Sequence, residues 1–395
     1  MTPSALPTAP EPDLLAALPV LATAATQSIV WTDPLRSEAF SSWLQRIARQ
    51  HQLDPASVRL ASADASFRRY FRIDWLASSH STASCIIMDA PPTLEDCSGF
   101  VHVAGLMAAA GLRVPEILDW SQSEGFLLLS DLGNQTVLQA LTPANGLPSA
   151  PGQLLEPAQR CYDFFMQAVD ALVAWQCASR LGVLPPYDDA LLTRELALFP
   201  DWYVAQHKKF TFDANQQQTL ARMFADIKTH NLQALGGAGV SHVYVHRDFM
   251  LRNLMVPAQA DAALGVLDFQ DAVYGPISYD IASLLRDAFV SWDEEFVIDI
   301  TVRYWQKARR AGLPVGDDFG AFYAAVEWMG LQRHLKILGI FARLTLRDGK
   351  PAYLADTPRF MRYARHTAAR YRPLGPLLVL LDAIEGNETR IGYTF

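Results

Sequence analysis

Cysteine is scarce in this chain of 395 residues. The four that occur, at positions 85, 97, 161 and 177, form no C-x-x-C pair and do not combine with histidine at the spacing of zinc ligands. Four cysteines in a chain of this length are also too few for a disulfide framework. This usage predicts reduced thiols and a cytoplasmic protein.

Blocks of positive charge are also missing. The 33 Lys and Arg residues are outnumbered by 41 Asp and Glu residues, and the formal net charge is −8. Because neutralisation of phosphates supplies most of the affinity for nucleic acids, we expect no nucleic-acid partner. An anionic ligand would have to be held by a few placed groups or by a metal ion.

Long apolar runs are absent as well, since no segment reaches the roughly 18 apolar residues of a membrane span. Residues 1–30 are rich in Ala, Pro and Thr, and no basic residue precedes Arg36, so the positive start of a signal peptide is lacking. We therefore expect residues 1–30 to form a flexible tail, and we expect no membrane partner.

Half of the residues are apolar and 11% are aromatic, which is enough for a large core. Ser37 is the predicted N-cap of a helix that extends to the region of His51. Short β-like runs and one helix follow within the first 130 residues. The runs cover Phe67–Ile73, Cys85–Met88 and Phe126–Leu129, and the helix covers Phe100–Ala110.

The character of the sequence changes after Asp131. Apolar residues recur at helical spacing in residues 157–180, 189–207, 214–235, 278–290, 293–311, 317–346 and 356–384. Only three short strands interrupt this pattern, at Val243–Val245, Leu254–Val256 and Gly265–Leu267. The sequence thus predicts a two-lobed α+β fold. Its N-terminal lobe, residues 31–130, carries a small mixed sheet, and its mainly helical C-terminal lobe spans residues 131–395.

The most informative residues stand around those short strands. His246 and Asp248 follow the first strand, Asn253 comes five residues after Asp248, and Asp268 ends the third strand. Asp and Asn are common in turns and caps. At this spacing, however, they match the set that phosphoryl transfer needs: one carboxylate for the attacking hydroxyl, and an amide with a second carboxylate for magnesium. The second and third strands could pair as a hairpin.

Several further motifs show a family resemblance that extends over about residues 60–375. The segments that carry it are Ser62–Arg72, Met88–Pro92, Glu95–Cys97, Phe126–Gly133, His246–Asn253, Leu267–Pro276 with Tyr279 and Asp280, and Leu331–His334. In these segments the chain resembles the aminoglycoside phosphotransferase/choline kinase family of the protein-kinase-like fold. More specifically, it resembles the bacterial amino-sugar kinases that phosphorylate the anomeric hydroxyl of N-acetylmuramate and N-acetylglucosamine in cell-wall recycling.

The resemblance implies ATP and Mg²⁺ as cofactors and assigns roles to residues. Asp248 corresponds to the catalytic base, and Asn253 and Asp268 correspond to the magnesium ligands. The backbone of Leu129, Ser130 and Leu132 corresponds to the hinge that binds adenine, which makes the N-terminal lobe the nucleotide-binding lobe. His246 and Asp280 correspond to residues that support the catalytic loop.

Two departures from the family pattern concern the triphosphate. The turn that should cover the phosphates, residues 63–66, contains no glycine, although the Ser66 hydroxyl and small neighbours still let backbone amides approach. Met88 stands where the phosphate-binding lysine is expected. Arg68 or Arg69 is the predicted replacement, and alternation along a strand would turn only one of them inward.

The acceptor is less well defined. Arg333 could bind a sugar carboxylate or be a surface residue, Trp202 could stack on a sugar or fill the core, and Asp271 is a third candidate. A polycationic aminoglycoside or choline remains an alternative, with Asp271, Glu195, Asp201 and Glu327 as possible partners. The missing lysine leaves a pseudokinase as a third hypothesis. We expect a monomeric, ATP- and Mg²⁺-dependent kinase of an amino sugar, with the acceptor site in the C-terminal lobe.

Overall fold

The computed structural model describes residues 29–63, 68–76, 82–142, 159–237, 239–259 and 262–386. The predicted tail lies outside them except for its last two residues. The chain divides into two compact units. The first extends to Gly105 and includes Val114–Gly133, and the second comprises Leu106–Arg113 and the residues from Asn134 onward. The predicted lobe boundary at residue 130 stays a prediction.

The first unit is built on a five-stranded sheet with the strand order β1-β2-β3-β5-β4. Every strand pair in it is antiparallel, whereas the sequence predicted a mixed sheet. The edge strands β1 and β4 were not predicted. The strands are β1 (Leu53–Ala63), β2 (Arg69–Trp75), β3 (Ser84–Asp89), β4 (Ile117–Ser121) and β5 (Phe126–Ser130).

Helix α1 (Pro34–His51) covers one face of this sheet with Phe40, Trp43 and Ile47. The strands meet it with every second residue, as in Phe71 and Ile73 of β2, because successive side chains of a strand point to opposite faces. The helix begins earlier than Ser37, which was the wrong cap. The Asp33 carboxylate accepts a hydrogen bond from the Leu35 amide, and Pro34 occupies the first helical position.

Helices make up most of the second unit, and helix α2 (Ser98–Ala109) runs from the first unit into it. Two of the predicted helices are not single α-helices in the structure. The segment 189–207 continues from α5 into a π-helix (Phe199–His207), and the segment 356–384 is split into α10 and α11. The remaining helices are α3 (Val137–Leu141), α4 (Gln159–Cys177), α5 (Asp189–Leu198), α6 (Ala214–Gln233), α7 (Ser278–Leu285), α8 (Glu294–Arg310), α9 (Phe319–Leu346), α10 (Thr357–Arg370) and α11 (Gly375–Glu385).

Helix α9 is the central helix of the second unit. Every residue from 325 to 344 is buried, including Glu327, Arg333 and Lys336. Gly339 lies against the backbone of α5, where a Cβ atom would come within 2.3 Å of the Leu198 carbonyl. This close approach requires glycine, and it brings the two helices together beside the start of the π-helix.

The polar loops of the second unit follow strands of two small sheets. β6 (His242–Val245) pairs with β9 (Val273–Pro276), a strand that was not predicted. β7 (Leu254–Met255) pairs antiparallel with β8 (Gly265–Val266), which confirms the predicted hairpin. Among the described residues, no helix is long and apolar enough to cross a membrane.

Candidate active site

The buried carboxylate of Asp280 holds the loop that follows β6. Asp280 of α7 accepts hydrogen bonds from the amides of His246, at 2.7 Å, and Arg247, at 3.0 Å. The ring of His246 also stabilises the loop, since its Nε2 lies 3.0 Å from the Leu267 carbonyl and its Nδ1 lies 3.3 Å from the Asp248 amide. Burial lowers the pKa of His246 to about 4, so its ring is neutral and can serve both contacts.

Arg247 lies at the bend of this loop. Its φ angle is +75°, in the left-handed region that non-glycine residues seldom adopt. Its carbonyl accepts hydrogen bonds from Arg333 Nη1, at 2.6 Å, and from the Ser283 hydroxyl, at 3.3 Å. Its Nη2 atom donates to Glu195 Oε1 at 2.6 Å. Contacts from three helices thus hold a strained backbone next to Asp248.

The structure brings Asp248, Asn253 and Asp268 together. Asn253 Nδ2 donates to the Asp248 carbonyl at 2.9 Å and to Asp268 Oδ2 at 3.2 Å. The Leu267 amide donates to the Asn253 carbonyl at 2.9 Å, which ties the β7–β8 hairpin to the loop. Asp268 also has a left-handed backbone, with φ at +66°, and its Oδ1 accepts a hydrogen bond from Gln270 at 3.0 Å.

Asp248 is 3% exposed, and its surroundings adjust its acidity. Burial raises the pKa of Asp248 to about 6, while Lys336 and Arg333 oppose that rise and Asp268 adds to it. A carboxylate with this pKa is mostly ionised near neutral pH and still binds a proton readily. These are the properties of a general base.

The donor set beside Asp248 fits a small hard cation. Asn253 Nδ2 uses its hydrogens on Asp248 and Asp268, which leaves the amide oxygen of Asn253 for a ligand role. A carboxylate and an amide oxygen are the ligand types that Mg²⁺ prefers, and Mg²⁺ commonly takes only one or two protein carboxylates together with phosphate oxygens. In the described part of the chain, no group of three His, Cys, Asp or Glu side chains could hold a metal.

The two candidate phosphate-binding arginines differ in their surroundings in the first unit. Arg69 donates two hydrogen bonds to the buried Asp89, at 3.0 and 2.5 Å, and its guanidinium lies 4.0 Å from the centre of the Trp31 ring. Arg68 is 6% exposed, and its Nη2 lies 2.9 Å from Glu95. In the register, Arg69 pairs with Asp89 and Tyr70 with Met88, so strand alternation puts Arg68 on the Met88 side.

The other predicted nucleotide contacts are in β5 and after it. Leu129 and Leu132 are buried. Ser130 is already bonded within the unit, because its amide donates to the Glu116 carbonyl at 2.9 Å and its hydroxyl accepts from the Glu116 amide at 2.8 Å. Ser66 lies outside the described residues.

The predicted acceptor residues differ in burial. Arg333 is 2% exposed, so the surface alternative for it is wrong, and its bond to Arg247 makes it a support of the loop. Contact with a sugar carboxylate stays a prediction that this burial does not favour. Trp202 is half-buried in the π-helix, and Asp271 is half-buried, with Oδ2 at 3.4 Å from Gln270 Nε2.

Two carboxylates that could have attracted a polycation are engaged inside the protein. Glu195 is bonded to Arg247 and Lys336, and Glu327 is bonded to Arg370 at 2.8 Å and to Tyr371 at 2.5 Å. The sequence placed Glu195 among possible lining residues and did not link it to the loop. Its partners lie 52 and 141 positions away, so no local pattern could indicate the contact.

Comparisons with known proteins agree with this geometry. Residues 57–316 match the sequence profile of the phosphotransferase enzyme family. A protein of Pseudomonas aeruginosa named N-acetylmuramate/N-acetylglucosamine kinase is 45% identical over 360 residues, which are 89% of this chain and 98% of that protein. A protein of Neisseria meningitidis with the same name is 43% identical over 365 residues, or 91% and 99% of the two chains.

Solved structures show the same fold at low sequence identity. A choline kinase from Cryptosporidium parvum has a TM-score of 0.55 at 10% identity, covering 86% of this chain and 99% of its own. The ADP-bound aminoglycoside phosphotransferase APH(2'')-Ib has a TM-score of 0.52 at 11% identity, covering 83% and 98%. The kinase-like fold, the profile match and the relatives of more than 40% identity show that this chain belongs to the phosphotransferase enzyme family and is a kinase.

Proposed function

We propose that this chain transfers the γ-phosphoryl group of ATP to the anomeric hydroxyl of an amino sugar, N-acetylmuramate or N-acetylglucosamine or both. The observation that carries the substrate is the 43–45% identity, over about nine tenths of the chain, to kinases named for these two sugars. The grouping of Asp248, Asn253 and Asp268 supports the reaction type.

Asp248 is the proposed base. It orients the sugar hydroxyl for attack on the γ-phosphorus and takes the proton as the new O–P bond forms and the bond from the γ-phosphorus to the leaving ADP breaks. The raised pKa of Asp248, about 6, suits this transfer because the group is a stronger base than an ordinary aspartate and is still mainly ionised at neutral pH.

Asn253 and Asp268 are the proposed magnesium ligands. When bound, the ion would neutralise charge on the phosphate oxygens. Because position 88 is methionine and not lysine, Arg68 is the proposed cation for the triphosphate. Arg69 is proposed to stabilise the fold through its bonds to Asp89. Leu129 and Leu132 are the proposed adenine contacts, and Ser130 contributes to the adenine site only through its backbone carbonyl. Ser66 would approach the phosphates.

We place this reaction in peptidoglycan recycling and in the cytoplasm, carried out by a monomer. The four cysteines support the reducing compartment, since all are free and three are buried. Binding of a polycationic antibiotic is the weaker alternative, because Glu195 and Glu327 are neutralised by internal partners. The identity to kinases named for the two amino sugars also favours them as acceptors.

The test is a phosphorylation assay with ATP and Mg²⁺ against N-acetylmuramate, N-acetylglucosamine, kanamycin and choline. The matched controls are the 1-O-methyl glycosides of the two sugars, in which the anomeric hydroxyl is blocked and every other hydroxyl is kept. We expect phosphate transfer to the free sugars and none to the glycosides. Transfer to kanamycin or choline with the amino sugars ignored would overturn the proposal, and transfer to the glycosides would overturn the anomeric assignment.

A further inference from the structure

Glu195 is the centre of a buried polar cluster beneath the catalytic loop. It lies on α5 and is 4% exposed. Its Oε1 accepts hydrogen bonds from Arg247 Nη2, at 2.6 Å, and Lys336 Nζ, at 3.2 Å. Its Oε2 accepts from the Tyr187 hydroxyl, at 2.6 Å, and Gln332 Nε2, at 2.8 Å. Four donors from three parts of the second unit, the segment before α5, the loop after β6 and helix α9, thus converge on one carboxylate.

This carboxylate is ionised in spite of its position. Burial alone would raise the pKa of Glu195, but the charges of Lys336 and Arg247, with the hydrogen bond from Tyr187, lower it to about 2. A buried charge with this many hydrogen bonds is held in one place, because moving any partner leaves a charge desolvated without compensation. The cluster is therefore rigid where it meets Arg247.

Arg247 connects this cluster to the chemistry. It directly precedes Asp248 in the chain, and its backbone is in the left-handed conformation. The Asp280 and Arg333 contacts hold its amide and its carbonyl, whereas Glu195 holds its side chain. A rotation of the Arg247 backbone toward a common conformation would redirect the Asp248 carboxylate and would pull the guanidinium away from Glu195.

We propose that Glu195 is a positioning residue for phosphoryl transfer, which acts through the Arg247 side chain to keep the strained loop in the conformation that aims Asp248. The inference rests on the proposed function in one respect, the role of Asp248 as base. Glu195 itself is enclosed by its four partners, so its effect on the reaction passes through Arg247.

The first experiment compares Glu195→Gln with Glu327→Gln. The two glutamates are matched, since both are at least nine-tenths buried and both accept hydrogen bonds from an arginine and a tyrosine. For Glu195→Gln we expect kcat to fall about 10- to 100-fold, the range for a reacting group displaced by about 1 Å, with KM for ATP and sugar within about twofold. Glu327→Gln should lose stability to a similar extent and keep kcat.

Equal kcat for the wild type and Glu195→Gln would overturn the proposal, and so would equal losses of kcat in the two variants. If Glu195→Gln does not fold, Glu195→Asp replaces it. That variant keeps the charge and shortens the reach to Arg247, so kcat should still fall in a protein that a cooperative thermal melt shows to be folded. A wild-type kcat in a folded Glu195→Asp would contradict the proposal.

A double-mutant cycle with Arg247→Gln tests the route of the effect. If Glu195 acts through Arg247, the double variant should have the kcat of the Arg247 single variant, whereas independent effects would multiply. Multiplied losses would refute the positioning role.

Hydrogen exchange of the free protein gives a readout that needs no substrate. The amides of His246 and Arg247 should exchange at least about tenfold faster in Glu195→Gln and at an unchanged rate in Glu327→Gln. Unchanged exchange in both variants would refute the proposal. If the wild type phosphorylates no amino sugar, the substrate assignment fails, and this measurement still decides the role of Glu195.

Discussion

Replacing Arg68 and Arg69 by alanine, one at a time, separates a ligand contact from a structural contact. The two residues are adjacent in the chain and each has a carboxylate partner, so they form their own matched pair. We expect Arg68→Ala to impair the use of ATP and Arg69→Ala to impair stability. The asymmetry follows from the strand register, which puts Arg69 beside Asp89 and Arg68 on the Met88 side.

The expected loss for Arg69 can be estimated from its contacts. The side chain donates two charge-assisted hydrogen bonds to Asp89 Oδ2. Asp89 is not left alone, because Arg36 donates two more bonds to its Oδ1 at 2.9 and 2.6 Å. Hydrogen bonds to charged groups contribute about 1.5–3 kcal/mol, so the free energy of unfolding should fall by about that amount. The kcat/KM for ATP should stay within about twofold of the wild type.

For Arg68 the same range of energy should appear in catalysis. A contact of about 1.5–3 kcal/mol with the triphosphate corresponds to a loss of roughly 10- to 150-fold in kcat/KM for ATP. Its ion pair with Glu95 holds the guanidinium in one position. We expect a raised KM for ATP and a lowered kcat.

The assay measures initial rates against ATP at saturating sugar, with a thermal melt of each variant. Met88→Lys is the third variant, and it should not raise kcat/KM if Arg68 supplies the charge as proposed. The reasoning is refuted if both alanine variants have wild-type rates, or if Arg69→Ala loses more kcat/KM than Arg68→Ala. A gain of activity in Met88→Lys would show that the site lacks a cation.

The remaining predictions concern the proposed base and the proposed metal ligand. Asp248→Asn should lower kcat about 10²- to 10⁴-fold with nucleotide affinity nearly unchanged, and a variant that keeps more than about a tenth of the activity would refute the assignment of the base. Because the base acts in its ionised form and its pKa is raised to about 6, kcat/KM should fall about tenfold per pH unit below pH 6 and level off above it. A flat profile between pH 5 and pH 7 would contradict this. Asp268→Ala should abolish the dependence of nucleotide binding on magnesium, measured by titration calorimetry with and without the ion, and unchanged affinity in magnesium would exclude Asp268 as a ligand.

The interior strands of the first unit were predictable and the edge strands were not. β2 alternates apolar and other residues, whereas β3 and β5 contain the continuous apolar runs Cys85–Met88 and Phe126–Leu129, and both patterns are visible in the sequence. β1 carries Pro55 and several small residues, and its pairing with β2 shifts register between Asp54 and Arg59. An edge strand tolerates proline and irregular pairing, so β1 depends on its neighbour more than on its own composition.

The loop residues were predictable because their chemistry depends on short spacings. Asp248 and Asn253 are five positions apart, and the β7–β8 hairpin that brings Asp268 to them is equally local. The supports of the loop were not predictable. Arg333 and Lys336 are charged residues on a helix, where exposure is the ordinary expectation, and only the tertiary fold shows that their partners are inside.

The continuous burial of α9 has a consequence for the tolerance of this chain to mutation. A helix with a solvent face accepts most substitutions at every third or fourth position. Residues 325–344 have no such face, and Glu327, Arg333 and Lys336 among them are tied to partners elsewhere in the fold. A survey of all single substitutions should therefore find one unbroken intolerant block over these positions, without a helical period, and natural variation of the enzyme should be concentrated outside it.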